Sequence, residues 1–503
     1  MGIPPSPAPA AAGLGWRTMQ GSFWLFGGRI FRQALFLALA VILGRLLTPR
    51  DFGMVGAGEL AIMLLGVLTY TGFNEALVQR PSLTARVLHT AWWVNLIRAG
   101  VMAATLWLAA PCLAAPLDPA VTPVLRALAL VQFISGLTSV GVTLLHKDMQ
   151  FRQLFGLEAW GLAADLAVAV AAALLWGNVW ALVLGAAAGA ATRVTLSYVR
   201  YPVPLRFVFD AAAARELFGF GRWLLCSGLL YFFMARGAEA VGGYLFGVAA
   251  LGLYQMAARF ALSPMSQFGE VFFQAVFPAY SQIQEEPRQL LGAFLKVLQV
   301  ATLIIFPLST LLVVLIGPLL PRLLGAQWQG AAALVPGLAM GGALQALLRT
   351  GPPLFMATGR PSYQFAVDLG AALGIVLCLY PLAWGYGLPG LTWAYAAGIC
   401  LGLPLWWRGV RRQSRAAPQD LLISVVPALA ASLVLAAAIR LPARLFAVHL
   451  GPGTSLGWLT GLGLAGVAAY ILTILLFERR LPNYQPLRAT FGLIVAQFKQ
   501  VKT

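Results

Sequence analysis

Arginine occurs repeatedly in stretches of this sequence that are otherwise apolar enough to lie in a membrane. In GGRIFRQALFLALAVILGRLL (residues 27–47), Arg29 and Arg32 are three residues apart, so they share one face of a helix. An arginine in a membrane span costs about 2.5 to more than 10 kcal/mol unless it faces water or a partner. The same energetic cost applies to four arginines in later apolar stretches, namely Arg98, Arg193, Arg259 and Arg349. The pattern predicts a shared, water-filled cationic cavity, although each arginine could instead be a strut tied to a backbone carbonyl or a carboxylate.

Acidic residues in or near the same stretches are fewer. Those that could carry a coupling proton or sodium ion are Glu59, Asp165, Glu270 and Asp368. Each of them could equally be a counter-ion to one of the arginines. Arg236 and Glu239 are three residues apart, which predicts an ion pair on one helix.

The composition indicates a polytopic membrane protein. Of the 503 residues, 60% are hydrophobic and 10% are charged, and the mean hydropathy is +0.82. Soluble domains carry about 25% charged residues. The net charge of +18 would suggest nucleic acid as the partner of a soluble protein. In a membrane protein such a charge has to be interpreted from the positions of the arginines relative to the lipid bilayer. We therefore expect no nucleic-acid partner.

Apolar runs predict about fourteen transmembrane helices. The predicted spans are 22–47, 53–75, 90–115, 120–145, 157–176, 178–200, 218–241, 249–279, 294–317, 330–356, 362–384, 387–407, 421–440 and 455–477. Lysine and arginine concentrate in alternate loops and in the tail from Arg479 onward. By the positive-inside rule this predicts that both termini are cytoplasmic.

A weak internal repeat predicts two lobes. Aligning LTPRDFGMVGAGEL with FGVAALGLYQMAARF places Gly53 on Gly252, and it brings span 5 with Asp165 near span 11 with Asp368. Two six-helix lobes plus two further helices would enclose the cavity, as in transporters built from repeats. The predicted organisation is a disordered cytoplasmic N-terminus (1–21), an N-lobe (22–200), a cytoplasmic linker (201–217), a C-lobe (218–407), a basic cytoplasmic loop (408–420), spans 13 and 14 (421–477) and a basic cytoplasmic tail (478–503).

The residue patterns of common enzymes and metal sites are missing from the sequence. It has no GxxxxGK[ST] phosphate loop, and none of its lysines follows a glycine. Its 3 histidines and 4 cysteines are scattered without metal-ligand spacing. We therefore expect no enzymatic activity, no catalytic residues, no metal and no cofactor.

Several stretches resemble a known family. LGRLLTPRDFGMVGAGE (43–59), TGFNEALVQRPSLT (71–84) and LHKDMQFRQLFGLE (145–158) are similar to segments of Wzx-type flippases for lipid-linked polysaccharide units. These belong to the multidrug/oligosaccharidyl-lipid/polysaccharide exporter superfamily. LGLYQMAARFALSPMSQFGEVFFQAVFPAYSQ (251–282) is also similar to span 8 of peptidoglycan-precursor flippases. The order and spacing of these stretches cover roughly residues 20–480.

The resemblance implies a V-shaped, two-lobed helical fold that works by alternating access in a bacterial inner membrane. It implies a polyprenyl-diphosphate-linked oligosaccharide as cargo, for exopolysaccharide, O-antigen or lipopolysaccharide assembly, with a polysaccharide polymerase and a chain-length regulator as candidate protein partners. Basic residues of spans 1 and 8 line the cavity in related flippases, and Arg29, Arg32 and Arg259 stand at matching positions. Arginine suits a diphosphate because its planar fork binds phosphate oxygens and stays charged.

Two other functions remain open at this point. One is an ion-coupled multidrug antiporter of the same fold, although a cationic cavity would repel cationic drugs. The other is a membrane-embedded glycosyl- or acyltransferase, for which the sequence offers no catalytic pair. Spans 13 and 14 have no assigned role beyond a groove for a lipid tail.

Overall fold

The fold was analysed in a computed structural model that describes residues 32–33, 35–70, 85–148, 150–202, 211–445, 456–481 and 484–486. These residues are predominantly helical and form no strand. In the N-terminal half the helices are α1 (Leu35–Leu46), α2 (Pro49–Leu68), α3 (Ala85–Ala114), α4 (Val121–Gly136), α5 (Gly141–Lys147), α6 (Phe151–Trp176), α7 (Trp180–Arg200) and α8 (Ala211–Ala261). In the C-terminal half the helices are α9 (Ser263–Gln282), α10 (Pro287–Leu324), α11 (Gln329–Ala332), α12 (Val335–Leu348), α13 (Gly351–Ala357), α14 (Ser362–Tyr386), α15 (Leu388–Ser414), α16 (Pro418–Leu445) and α17 (Leu456–Arg480).

The lengths and composition of these helices confirm the predicted all-α polytopic membrane fold. Among the described residues, 10 helices are long and apolar enough to cross a membrane, and one bent pair around residue 333 raises this to 11. Two shorter apolar helices, α1 and α4, fall on predicted spans 1 and 4. The backbone of α8 breaks at Gly247, where φ is 83°, so this element supplies span 7 and the start of span 8. The described part of each predicted span therefore coincides with helical structure.

The start of α2 shows how local sequence sets a boundary. Pro49 occupies the first turn, and Thr48 and Asp51 form a reciprocal capping box. The Thr48 backbone N–H donates to Asp51 Oδ2 (2.9 Å), and the Asp51 N–H donates to Thr48 Oγ1 (3.3 Å). Because this cap satisfies the free N–H groups of the first turn, the helix begins four residues before the predicted span.

The chain divides into two compact units, residues 1–252 and 253–503. The division lies within α8, after the predicted linker 201–217, of which residues 203–210 are outside the described part of the chain. The interior of unit 1 is an apolar core in which α2, α3 and α4 meet around Met54, Leu106 and Leu125. The six-helix lobes stay a prediction.

In unit 1, α2 crosses the second part of α8 at two glycines that the repeat alignment had paired. A Cβ on Gly53 would overlap the Val248 carbonyl oxygen, and a Cβ on Gly252 would overlap the Pro49 carbonyl oxygen. Each glycine thus faces the residue four positions before the other. The two helices can therefore approach this closely only because both positions are glycine.

In unit 2, the two C-terminal helices pack against α10. Leu435 and Ile439 of α16 and Ile474 of α17 form one buried apolar cluster with Val314 of α10. Neutral hydrogen bonds join the same helices. Thr302 Oγ1 donates to the Ser424 carbonyl (3.1 Å), and Tyr470 Oη donates to the Leu303 carbonyl (2.8 Å). Predicted spans 13 and 14 are therefore built into the core of this unit.

Candidate functional site

A cluster of ionisable side chains from four helices of unit 1 is the strongest candidate site. We call it the charge cluster; its members are Glu59 on α2, Asp165 on α6, Arg193 on α7, and Arg236 and Glu239 on α8. Asp165 interacts electrostatically with Arg193 and with Glu59. Arg236 interacts with Glu239 and also with Glu59. Glu59 therefore connects two pairs that lie on different helices.

The Asp165–Arg193 part of the cluster fits into a hairpin whose helices approach closely. A Cβ on Gly161 of α6 would stand 2.9 Å from a terminal nitrogen of Arg193, and one on Gly185 of α7 would stand 2.5 Å from Asp165 Oδ1. A Cβ on Gly189 would meet the Gly161 carbonyl oxygen at 2.9 Å. The space that these three glycines leave open is filled by the two charged side chains.

The predicted pair within α8 is confirmed. A terminal nitrogen of Arg236 lies 2.8 Å from Glu239 Oε2, and the Glu239 side chain is 1% exposed against 40% for that of Arg236. The carboxylate thus faces the protein interior while its partner guanidinium stays accessible. Such a pair costs less in an apolar helix than either charge alone.

Arg98 of α3 makes hydrogen bonds that give it a structural role. A terminal nitrogen of Arg98 donates to the Gly66 carbonyl (3.1 Å), and its Nε donates to Thr69 Oγ1 (3.3 Å). Both acceptors lie at the end of α2, where the last carbonyls have no partner within the helix. The structure thus gives this predicted cavity residue a helix-capping contact, the alternative that the sequence left open.

The remaining candidates in unit 2 lie on three helices. Arg259 on α8, Arg349 at the end of α12 and Asp368 on α14 are all half-buried. Asp368 Oδ1 accepts a hydrogen bond from Gln364 Nε2, one helical turn earlier (2.9 Å). Its described hydrogen-bond partner is therefore neutral, in contrast to the charged surroundings of Asp165.

Of the two arginines of span 1 that the sequence analysis placed in the cavity, the structure describes one. Arg32 and Gln33 are helical; Arg32 is exposed, and Gln33 Nε2 is buried without a hydrogen-bond partner among the described residues. Arg32 makes no ion pair with a described carboxylate. Arg29 lies outside the described residues, and so does the side chain of Glu270.

The sequence analysis allowed Asp165 to be a counter-ion to one of the arginines, but it did not identify Arg193 as that arginine. The two residues are 28 positions apart on different helices, and only helix packing brings them together. The available signal was the spacing of Gly185 and Gly189, since small residues four apart mark close helix contacts in membranes. In the part of the chain that the structure describes, no group of three or more His, Cys, Asp or Glu side chains could hold a metal ion.

Comparison with known sequences gives a consistent family. A family model described as "Polysaccharide biosynthesis protein" matches residues 42–333. The succinoglycan biosynthesis transport protein ExoT of Rhizobium meliloti is 26% identical over 447 residues, covering 88% of this chain and 89% of ExoT. The lipopolysaccharide biosynthesis protein WzxC of Escherichia coli K12 is 22% identical over 356 residues, covering 70% and 72%. The teichuronic acid biosynthesis protein TuaB of Bacillus subtilis is 24% identical over 381 residues, covering 75% and 79%.

Comparison with solved structures supports the fold. The lipid II flippase MurJ in an inward closed conformation superposes with a TM-score of 0.73 at 13% identity, covering 92% of this chain and 99% of MurJ. An inward-facing multidrug resistance transporter of the MATE family gives 0.61 at 14% identity, covering 76% and 95%. Since the family model covers more than half of the chain, the resemblance seen in the sequence is confirmed, and this multi-pass membrane protein belongs to the polysaccharide biosynthesis protein family, a family of membrane transporters.

Proposed function

We propose that this protein translocates polyprenyl-diphosphate-linked oligosaccharide units from the inner to the outer leaflet of a bacterial inner membrane by alternating access. The units would feed exopolysaccharide, O-antigen or lipopolysaccharide assembly. Family membership, the similarity to ExoT and WzxC and the fold shared with a lipid II flippase support this assignment. A polymerase and a chain-length regulator would act on the delivered units, and both termini would be cytoplasmic.

The observation that carries the proposal is Arg32, an exposed arginine well inside the predicted span 1. The predicted span starts about ten residues earlier, so Arg32 lies roughly 15 Å from its cytoplasmic end at 1.5 Å per residue. An exposed guanidinium at that depth is stable only in water or against an anion. A diphosphate supplies the anion, and the arginine fork can bond two of its oxygens at once. Arg29, one turn earlier, would extend this contact.

Arg259 and Arg349 of unit 2 stay in the proposed cargo-binding set, as the sequence analysis assigned them. Both are half-buried on apolar helices. Arg98 contributes less in this account because it already bonds the end of α2. Arg193 contributes through Asp165 rather than by direct contact with the cargo.

The charge cluster is the proposed coupling site. Asp165 interacts electrostatically with one cation, Arg193, and with one anion, Glu59, and Glu59 interacts in turn with Arg236. A proton or sodium ion bound at Asp165 would therefore change the electrostatic interactions of charged groups on four helices. An ion that binds two states of a transporter unequally shifts their populations. Asp368 and Glu270 are the alternative carriers, and the neutral partner of Asp368 makes it the weaker choice.

The experiment measures lipid-linked oligosaccharide in cells that lack the protein. Extracts are assayed for complete repeat units and for the leaflet that holds them. Wild-type protein and an Arg29→Ala/Arg32→Ala double variant are then returned at equal membrane levels. We expect complete units to accumulate on the cytoplasmic face, to be cleared by the wild type and to persist with the double variant.

The other outcomes separate the rival functions. Incomplete repeat units would indicate a glycosyl- or acyltransferase of assembly and would contradict the flippase. Absence of accumulation, together with hypersensitivity to cationic drugs, would indicate the multidrug antiporter. Full clearance by the double variant would leave the flippase standing and would contradict the role of the two arginines.

A further inference from the structure

An open apolar groove runs between α1 and α6 in unit 1. It has a volume of about 770 Å³, and every residue that lines it is apolar. Leu35 and Ile42 form the α1 side, and one face of α6 from Ala159 to Leu174 forms the other. Sites that hold most of a drug-sized molecule have about 300–1,000 Å³. The groove is therefore large enough to hold part of a long lipid chain.

The face of α6 in this groove has a regular shape. Alanines at 159, 163, 167 and 171 follow one another at intervals of four residues, so they form one line along the helix. Larger side chains stand at both ends of the groove: Trp160 is 60% exposed and Leu174 is 68% exposed. At 1.5 Å per residue the line from Ala159 to Leu174 is roughly 22 Å long. The α6 side of the groove thus presents a line of small residues beside Leu166 and Val170, and it is long enough for several isoprene units of an extended chain.

Charge beyond the α1 side of the groove points to the kind of lipid. Exposed arginines stand three residues before Leu35 (Arg32) and three residues after Ile42 (Arg45), and residues three apart on a helix share a face. Of the two, Arg32 lies deep in predicted span 1, whereas Arg45 is two residues from the end of that span. An amphiphile seated here would have an anionic group at Arg32 and an apolar chain beyond it. The depth of Arg32, roughly 15 Å into the predicted span, is too great for the headgroup of an ordinary bilayer phospholipid.

We infer that this groove, the α1–α6 groove, holds the first isoprenoid units of the cargo, next to a diphosphate at Arg32. The inference rests on the proposed function and adds a binding site for the polyprenyl chain. The inference places the chain-binding site in unit 1 rather than on spans 13 and 14, because these two spans pack into the core of unit 2. Recognition of the cargo would then include its chain as well as its sugars.

Chain-length dependence provides the first test. Purified protein in liposomes translocates the same diphosphate-linked sugar on a long polyprenyl chain and on a short one of two isoprene units. Ala167→Trp fills the groove, and Val168→Trp places the same bulk on the next residue, which is 37% exposed and does not line the groove. We expect Ala167→Trp to lower long-chain translocation at least fivefold and short-chain translocation less than twofold, with Val168→Trp near wild type.

Each other outcome of this test has a stated meaning. Equal loss of both substrates in Ala167→Trp, or equal loss in Val168→Trp, would contradict the groove as a chain site. Translocation of neither substrate by the wild type would contradict the proposed function itself, so the two failures are distinguishable.

Photo-crosslinking provides the second test, which does not depend on transport. A polyprenyl diphosphate with a diazirine on its first isoprene units is compared with a phosphatidylglycerol that carries the diazirine on its acyl chain. We expect the polyprenyl probe to label the peptide 159–174 and unlabelled polyprenyl diphosphate to suppress that labelling. Equal labelling by the phospholipid without suppression would show an ordinary bilayer contact and overturn the inference.

Discussion

Two helical hairpins of similar construction, one in each unit, place different groups where their helices approach closely. In α6–α7, glycines make room for the side chains of Asp165 and Arg193. In α14–α15, a Cβ on Gly398 would overlap the backbone of Ile375, and one on Gly374 would stand 2.6 Å from the Gly398 carbonyl oxygen. Both hairpins therefore bring two backbones together, but the first also holds two charged side chains between its helices.

The same contrast extends to the contacts between helices in the two units. In unit 2, neutral donors and acceptors join the helices, as in the bond from Tyr395 Oη to Gln345 Oε1 (2.9 Å). Such bonds contribute modestly to packing in membranes and leave no net charge. Charges inside a membrane are far more costly, so they persist where function needs them. Under the proposed function, we therefore propose that unit 1 binds the coupling ion and that these helices of unit 2 serve as a scaffold.

The largest effect on stability is expected from Gly398→Ala. Its Cβ would collide with the backbone of Ile375, which cannot move aside as a side chain can. Overpacking of this kind costs about 1–3 kcal/mol. We expect a lower midpoint of thermal unfolding in detergent and less protein in the membrane. Gly385→Ala in α14 is the control, because no heavy atom lies within 4 Å of its added Cβ; equal behaviour of the two variants would contradict the backbone contact.

The largest effect on transport is expected from Asp165→Asn. Coupling free energies between sites correspond to about 5- to 150-fold changes, so we expect a loss of translocation in that range at unchanged protein level. Gly185→Ala should lower both translocation and stability, because its Cβ would collide with the Asp165 carboxylate and with the Ala169 Cβ. Asp368→Asn is the matched control and should change translocation less than twofold. A greater loss of translocation in Asp368→Asn than in Asp165→Asn would assign the coupling ion to unit 2 instead of unit 1.

A smaller effect, confined to stability, is expected from Arg98→Met. The variant removes two hydrogen bonds at the end of α2, and bonds to charged groups contribute about 1.5–3 kcal/mol each when buried. Because Arg98 is half-buried, we expect a loss of about 1–2 kcal/mol and unchanged translocation per folded molecule. Unfolding midpoints and liposome assays on the same preparations measure both. A variant of normal stability that does not transport would return Arg98 to the cargo-binding set.

The smallest effect is expected from Arg50→Ala. Arg50 pairs with Asp118, which lies outside the helices at the predicted outer surface. A hydrogen bond from the Ala120 backbone and one from Arg50 hold the pKa of Asp118 below its usual value. The pair therefore stabilises the fold above the ordinary pKa of aspartate and ceases to do so as the pH falls through the lowered value.

Both groups of this pair are accessible, so solvent screens their attraction. We expect Arg50→Ala to shift the unfolding midpoint by no more than about 2 °C at neutral pH. The difference from wild type should vanish in acid. A difference that grows as the pH falls would contradict the sign of the pKa shift.

The fold could be predicted from the sequence because membrane helices need only length and apolar composition. Local spacing was also sufficient for the ion pair of Arg236 with Glu239. The Asp165–Arg193 association was beyond this reasoning, since it depends on how two helices are rotated against each other. The bonding of Arg98 was undecided for the same reason: a sequence does not show which carbonyl a long side chain reaches.

Reconstitution tests the central claim most directly. Purified protein in liposomes is given a polyprenyl-diphosphate-linked oligosaccharide in one leaflet, and its appearance in the other leaflet is timed for wild type and for Arg32→Ala. The account predicts translocation by the wild type well above that of protein-free liposomes and a loss of at least tenfold in the variant. Translocation by wild type and Arg32→Ala at the same rate, or by neither, would contradict it.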